Sequence, residues 1–212
     1  MTLLAENMSI TLGNQEIVKN INLELKNGEM VALVGPNGAG KTTVLRGLAA
    51  GTPITSGNIK LNKVDISQLD PQEIAIYRSV MSQNPSIGFD FTVTEILELG
   101  WVQRDKRIKK ERDKAILQVA KKCKILNLLK RTFNTLSGGE KQRVNFAKAL
   151  LQIWQPDDKS EKRFLLLDEP TSNLDIAHEI MVLNLAKNQT TNNSGVLVIL
   201  HNLNLAARFC DR

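Results

Sequence analysis

Gly35-Pro36-Asn37-Gly38-Ala39-Gly40-Lys41-Thr42 fits the spacing G-x-x-x-x-G-K-[ST], the pattern of a phosphate-cradling loop. The apolar run Met30-Val31-Ala32-Leu33-Val34 precedes it and reads as a buried strand. Thr43-Val44-Leu45-Arg46-Gly47-Leu48-Ala49-Ala50 follows and reads as a helix start. Strand, loop and helix in that order are the context such a loop needs. Its glycines let backbone N–H groups turn inward without a Cβ clash. The helix N-terminus adds partial positive charge beneath the phosphates. Lys41 is placed to reach β- and γ-phosphates, and Thr42 to hold Mg²⁺ through its hydroxyl. The plain alternative is a glycine-rich turn with an incidental lysine.

The chain has 212 residues, enough for one large domain or one domain with a subdomain. Its 42% apolar content suffices for a sizeable core. No apolar stretch reaches the ~18 residues of a membrane span. The start Met1-Thr2-Leu3-Leu4-Ala5-Glu6 lacks a basic region and a long apolar stretch, so no secretory signal is expected. Cys123 and Cys210 stand apart from any metal-ligand spacing and read as reduced thiols. The net charge of +6 would suit nucleic acid or an anionic membrane face. However, Lys106-Arg107-Ile108-Lys109-Lys110 and Lys121-Lys122-Cys123-Lys124 are broken by apolar residues and flanked by acids. Aromatic residues make up only 4%, so base-stacking platforms are scarce. Solvated helix faces are the reading, and no nucleic-acid partner is expected.

Strands dominate to about Ile66. Asn20-Ile21-Asn22-Leu23-Glu24-Leu25 alternates as a half-buried strand does, and Asn58-Ile59-Lys60-Leu61 repeats the pattern after an expected turn at Thr55-Ser56-Gly57. Asp70-Pro71-Gln72-Glu73 reads as a helix start, with Asp as N-cap, Pro at the first position and Glu at the third. Thr92-Val93-Thr94-Glu95 is a second capping box. From about Asn84 to Thr135 the chain reads as helical and charged, a subdomain inserted into an α/β core. Phe164-Leu165-Leu166-Leu167 and Val196-Leu197-Val198-Ile199-Leu200 are uniformly apolar, as strands buried on both faces of a parallel sheet are.

Two features narrow the chemistry. The strand Phe164–Leu167 ends in Asp168-Glu169, and a carboxylate at the carboxyl end of a parallel strand faces the ligand crevice. Asp168 is placed to hold Mg²⁺ with Thr42, and Glu169 to polarise an attacking water. An acidic turn after a core strand is the alternative. Leu136-Ser137-Gly138-Gly139-Glu140 then opens a helix running toward Trp154, with Ser137 and Glu140 as a capping box. Its two glycines leave a helix terminus that a phosphate can approach closely.

On these motifs the chain closely resembles, over essentially all 212 residues, the nucleotide-binding subunits of ATP-binding cassette (ABC) transporters. The resemblance implies an α/β fold: a P-loop NTPase core, an N-terminal antiparallel β subdomain and an inserted helical subdomain. It implies one ABC ATPase domain over 1–212, with core at about 1–83 and 156–212 and helical subdomain at about 84–155. Gln83 resembles the family's Q-loop residue, which touches Mg²⁺. Ser172-Asn173-Leu174-Asp175 resembles the D-loop at the subunit interface, and His201 the switch histidine on the γ-phosphate. His178 has no such support and reads as a surface helix residue. In this family two ATPase subunits pack head to tail as a homodimer. Ser137, Gly138 and Gly139 would then act in trans on ATP held by Gly35 to Thr43, so the site is complete only in the dimer. Hydrolysis becomes coupled to opening and closing. Leu12 falls where the family often stacks an aromatic ring on adenine. Asn202 replaces a frequent Asp, and both can cap a helix. The chain stops at Asp211-Arg212, where relatives continue for a few tens of residues, so a terminal strand and helices are expected to be missing.

The short stretch between Gln83 and Ser137 does not fit DNA-repair relatives with long coiled-coil insertions, and a single cassette does not fit paired-cassette translation factors. Phe89-Asp90-Phe91-Thr92-Val93 with Gly100 resembles the iron-chelate and cobalamin importer group, as do Asp175-Ile176-Ala177-His178 and His201-Asn202-Leu203-Asn204-Leu205-Ala206-Ala207-Arg208. The Ile153-Trp154-Gln155-Pro156-Asp157-Asp158 segment most resembles the haem (hemin) import ATPases. The implied function is ATP hydrolysis that drives haem import, with siderophore or cobalamin import as the near alternative. A soluble ABC protein acting on nucleic acid, or a regulatory binding module, is the alternative of another class. The implied partners are two transmembrane permease subunits and, indirectly, a periplasmic substrate-binding protein. The implied location is the cytoplasmic face of the bacterial inner membrane.

Overall fold

The computed structural model describes residues 2–83, 88–102, 109–155 and 162–212. Two four-stranded sheets organise them. The first is antiparallel: β1 (Thr2–Leu12) lies between β2 (Gln15–Lys26) and β4 (Ser56–Leu61), and the short β5 (Val64–Asp65) completes the order β2-β1-β4-β5. The second is parallel. It runs β3-β8-β7-β6, from β3 (Met30–Leu33), β8 (Ser194–Ile199), β7 (Arg163–Asp168) and β6 (Arg78–Met81). Every residue of β7 and β8 is buried.

Two cores meet across the parallel sheet. Phe164, Leu166, Leu197 and Ile199 face α1 (Lys41–Leu48) and the antiparallel sheet. Leu165, Leu167, Val196 and Val198 face the opposite core. That core takes in α3 (Val93–Leu99), α4 (Lys109–Lys122), α5 (Gly138–Gln152) and α6 (Ile176–Thr191). The period of two in burial explains why these strands carry no polar face. Each such buried side chain contributes about 1.5–3 kcal/mol.

The helix starts are set by local chemistry. Full capping boxes open α2 (Pro71–Tyr77) from Asp70, α3 from Thr92 and α5 from Ser137. Asn202 caps α7 (Leu203–Phe209) by accepting from the amides of Asn204 and Leu205. The inserted region holds, among the described residues, helices and short 3₁₀ turns with one isolated bridge, Thr92 to Thr132. The residues at both expected subdomain junctions, 84–87 and 156–161, lie outside the described set. So do Lys106-Arg107-Ile108 of the basic cluster.

The turn expected at Thr55-Ser56-Gly57 is instead the start of a strand, because Ser56 and Gly57 already belong to β4. Gly57 has φ +83°, and a Cβ there would fall 2.4 Å from the carbonyl oxygens of Glu6 and Asn7. The glycine serves close pairing with β1, not chain reversal. Residues 211 and 212 run beside β3, one of the two edge strands of the parallel sheet. Asp211 N donates to Met30 O at 2.8 Å, and Ala32 N to Arg212 O at 2.9 Å. Met30 N donates to Asp211 Oδ2 at 2.8 Å, and Lys187 Nζ holds the same carboxylate. Among the described residues no helix is long and apolar enough to cross a membrane.

Candidate functional site

The parallel order brings four chain segments to one end of the second sheet. The loop Val34–Gly40 follows β3, Gln83 follows β6, Glu169 follows β7 and His201 follows β8. Carboxyl ends of parallel strands are where such sheets bind ligands. A cavity of about 450 Å³ opens there. Asn37, Gly38 and Gly40 to Thr43 form one wall, and Gln83, Glu169 and His201 another.

The loop is built to accept an anion. Gly40, the N-cap of α1, has φ +83° and supplies no side-chain cap. The first amides of α1 therefore lack an internal acceptor and point out of the helix. Lys41 Nζ donates to Gly35 O at 2.9 Å and to Pro36 O at 2.8 Å, so its ammonium lies folded over the loop. Ala39 N closes the loop on Pro36 O at 3.3 Å.

Thr42 Oγ1 donates to Asp168 Oδ1 at 3.1 Å across 126 positions of sequence. A hydroxyl and a carboxylate are the hard oxygen donors that Mg²⁺ takes. Asp168 is 1% exposed. Its burial pushes the carboxyl above the ordinary range, the Thr42 hydroxyl works against this, and the Glu169 charge adds to it. A cation beside this carboxylate would offset the cost of its burial, so the pair fits a divalent ion.

Glu169 sits between two partners. Gln83 Nε2 donates to its Oε2 at 2.6 Å, and His201 Nε2 lies 2.6 Å from its Oε1. These five residues thus pair at the strand ends as Thr42–Asp168 and Gln83–Glu169–His201. Glu169 also has φ +49°, a left-handed backbone that a non-glycine residue seldom adopts.

Other expected residues lie elsewhere within one chain. Ser137, Gly138 and Gly139 open α5 and do not line the cavity. Gly139 is partly enclosed, because a Cβ there would fall 2.8 Å from Asn173 O. Its bareness therefore serves packing inside the chain as well as approach from outside. Asp175 is the N-cap of α6 and accepts from His178 N at 2.9 Å. His178, expected as a surface residue, is instead part-buried and bridging. Its Nδ1 lies 2.8 Å from Asp175 Oδ2 and its Nε2 contacts Arg143 of α5. Leu12, at the end of β1, lines the cavity as expected, and Ile17 joins it there. Ile17 and Gln142 escaped sequence reasoning. Gln142 Nε2 donates to Glu169 O at 2.8 Å and to Ser172 Oγ at 3.1 Å. Of the Ile153–Arg163 segment, Trp154 packs on Trp101 with ring centroids 5.3 Å apart, and residues 156–161 are outside the described set.

A family model described as ABC transporter matches residues 18–172. The Hemin import ATP-binding protein HmuV of Rhodopseudomonas palustris strain BisB5 is 40% identical over 99% of this chain and 79% of its own length. The protein of the same name from Gloeobacter violaceus is 38% identical over 99% of this chain and 76% of its own. Among solved structures, the dimeric bacterial ABC transporter cassette MJ0796 superposes with a TM-score of 0.84 at 27% identity. That match covers 99% of this chain and 91% of that one.

Proposed function

The chain belongs to the ABC transporter family, and from that premise we propose that it is the ATP-hydrolysing subunit of a bacterial haem importer. The observation that carries the ATPase reading is the pairing at the strand ends, Thr42 with Asp168 and Glu169 between Gln83 and His201. Lys41 and the amides of the loop and α1 bind the phosphates. Thr42, Asp168 and Gln83 would hold Mg²⁺, and the ion would neutralise phosphate charge. Glu169 takes a proton from water as the water oxygen bonds to the γ-phosphorus. The bond from that phosphorus to the β-phosphate oxygen breaks, and ADP leaves. His201 steadies the γ-phosphate.

Ser137, Gly138, Gly139 and Asp175 reach the nucleotide from a second copy, which is why they do not line the cavity of one chain. The dimeric state of MJ0796 supports this reading. Two transmembrane permease subunits hold the ATPase dimer on the cytoplasmic face of the inner membrane, and a periplasmic binding protein acts through them from the other side. Phe89 and Leu99, 75% and 64% exposed, support an apolar contact with a permease segment.

Leu12 and Ile17 offer the base aliphatic contact and no hydrogen-bond readout. ATP and GTP should therefore compete within about tenfold of each other, about 1.4 kcal/mol. A stronger preference for ATP in competition binding would mean that another residue reads adenine.

Haem as cargo rests on the names of the relatives and on the resemblance around Phe89–Val93 and Trp154–Arg163. Deleting the protein is expected to abolish growth on haem as sole iron source and to spare siderophore and cobalamin uptake. Wild-type growth on haem would reject the cargo and leave the ATPase reading intact.

A further inference from the structure

We propose that Gln142 is a positioning residue that fixes the main chain of Glu169, and through it the carboxylate. The inference rests on the reading of Glu169 as the base. Glu169 has three reasons to leave its observed conformation. Its φ of +49° is a left-handed backbone that is unfavourable for an L-residue. Pro170 follows, and a residue before proline is pushed toward extended backbone. The Asp168 carboxylate stands next to it in sequence. Something other than local preference must hold it.

The hold comes from α5. Gln142 is 4% exposed, so its amide is committed to the interior. Its Nε2 donates to Glu169 O at 2.8 Å and Ser172 Oγ at 3.1 Å. Ser172 N donates to the same Glu169 carbonyl at 3.2 Å. Two donors therefore converge on one oxygen and pin the Glu169–Pro170 peptide plane. Rotation toward extended backbone would swing that oxygen away and leave a buried amide without its acceptor, a cost that opposes the local preference. Gln83 and His201 then meet a carboxylate already aimed between them. Two further features keep α5 at this loop: the close approach of Gly139 to Asn173 O, which leaves no room for a Cβ, and the contacts of Arg143 through His178 to Asp175. Gln142 itself does not line the cavity.

The test is steady-state hydrolysis of Mg·ATP by the purified protein with Gln142→Leu, Gln142→Glu and Glu169→Gln. Gln142→Leu removes both donated bonds at similar volume. It should lower kcat about tenfold or more while KM for ATP stays within about twofold. Gln142→Met reads the same loss if the leucine variant does not fold. Gln142→Glu separates positioning from packing. Ionised, it has no proton to give and its oxygens repel the Glu169 carbonyl. Protonated, its O–H can donate to that carbonyl. Its kcat relative to wild type should therefore climb as pH falls from about 8 to about 6, since burial raises a carboxyl. The Gln142→Leu ratio should stay flat. A purely packing role would leave both ratios flat, and that result overturns the proposal. Wild-type kcat in Gln142→Leu beside an inactive Glu169→Gln overturns it alone. Wild-type kcat in Glu169→Gln overturns the base assignment and this proposal together.

Discussion

Glu169→Gln is expected to bind ATP normally, to hydrolyse it slower by about 10²–10⁴-fold, and to accumulate as an ATP-bound dimer. The geometry makes this a clean substitution. The glutamate accepts from Gln83 Nε2 at 2.6 Å and meets His201 Nε2 at 2.6 Å. A glutamine side chain can keep both contacts, its oxygen toward Gln83 and its NH₂ toward a His201 tautomer that accepts. What it cannot do is take a proton from water. Asp168 and Thr42 remain in place for the ion. Binding, closure and dimer formation should survive while the chemical step fails. Gel filtration with ATP and a turnover assay read both halves. Wild-type turnover with only monomer present would remove Glu169 from its role.

Lys41→Ala is expected to weaken ATP binding by roughly tenfold to a hundredfold, the loss of a charge-assisted contact worth about 1.5–3 kcal/mol. The ammonium is pre-positioned: it already donates to Gly35 O and Pro36 O. Those carbonyls belong to exposed residues, so water can serve them when the lysine is gone. The fold should keep its stability, and the lost affinity should report phosphate contact alone. Titration with labelled ATP checks this, and unchanged affinity would remove Lys41 from phosphate binding.

Much of this was legible in the sequence, and for definite reasons. Capping boxes at Asp70, Thr92 and Ser137 are local, so spacing alone revealed them. The runs at Phe164 and Val196 signalled strands covered on both faces, and they are buried throughout. Thr42 and Asp168 could be paired before their 3.1 Å contact was known, because loop and strand end have fixed places in such a sheet. What escaped was long-range. Gln142 looks like any polar helix residue until α5 is laid against the loop at Glu169. His178 looks solvated until Arg143 arrives from 35 positions away. Gly57 reads as a turn because no sequence pattern shows the neighbouring strand pressing on it.

The two residues beside β3 have a bearing on solubility. A strand at the rim of a sheet offers unpaired amides and carbonyls to any other chain, and proteins guard such rims against aggregation. Here Asp211 and Arg212 occupy the rim of the strand that leads into the phosphate loop, and Lys187 locks the Asp211 carboxylate in place. That lock depends on charge. The Lys187 hydrogen bond, and then the Met30 amide, hold the Asp211 carboxyl below its ordinary range. A lowered carboxyl contributes fully above its unfolded value and loses its contribution as pH falls through its folded one. The carboxylate lock is therefore in force at neutral pH and weakens in acid, while the two main-chain bonds to β3 do not depend on charge.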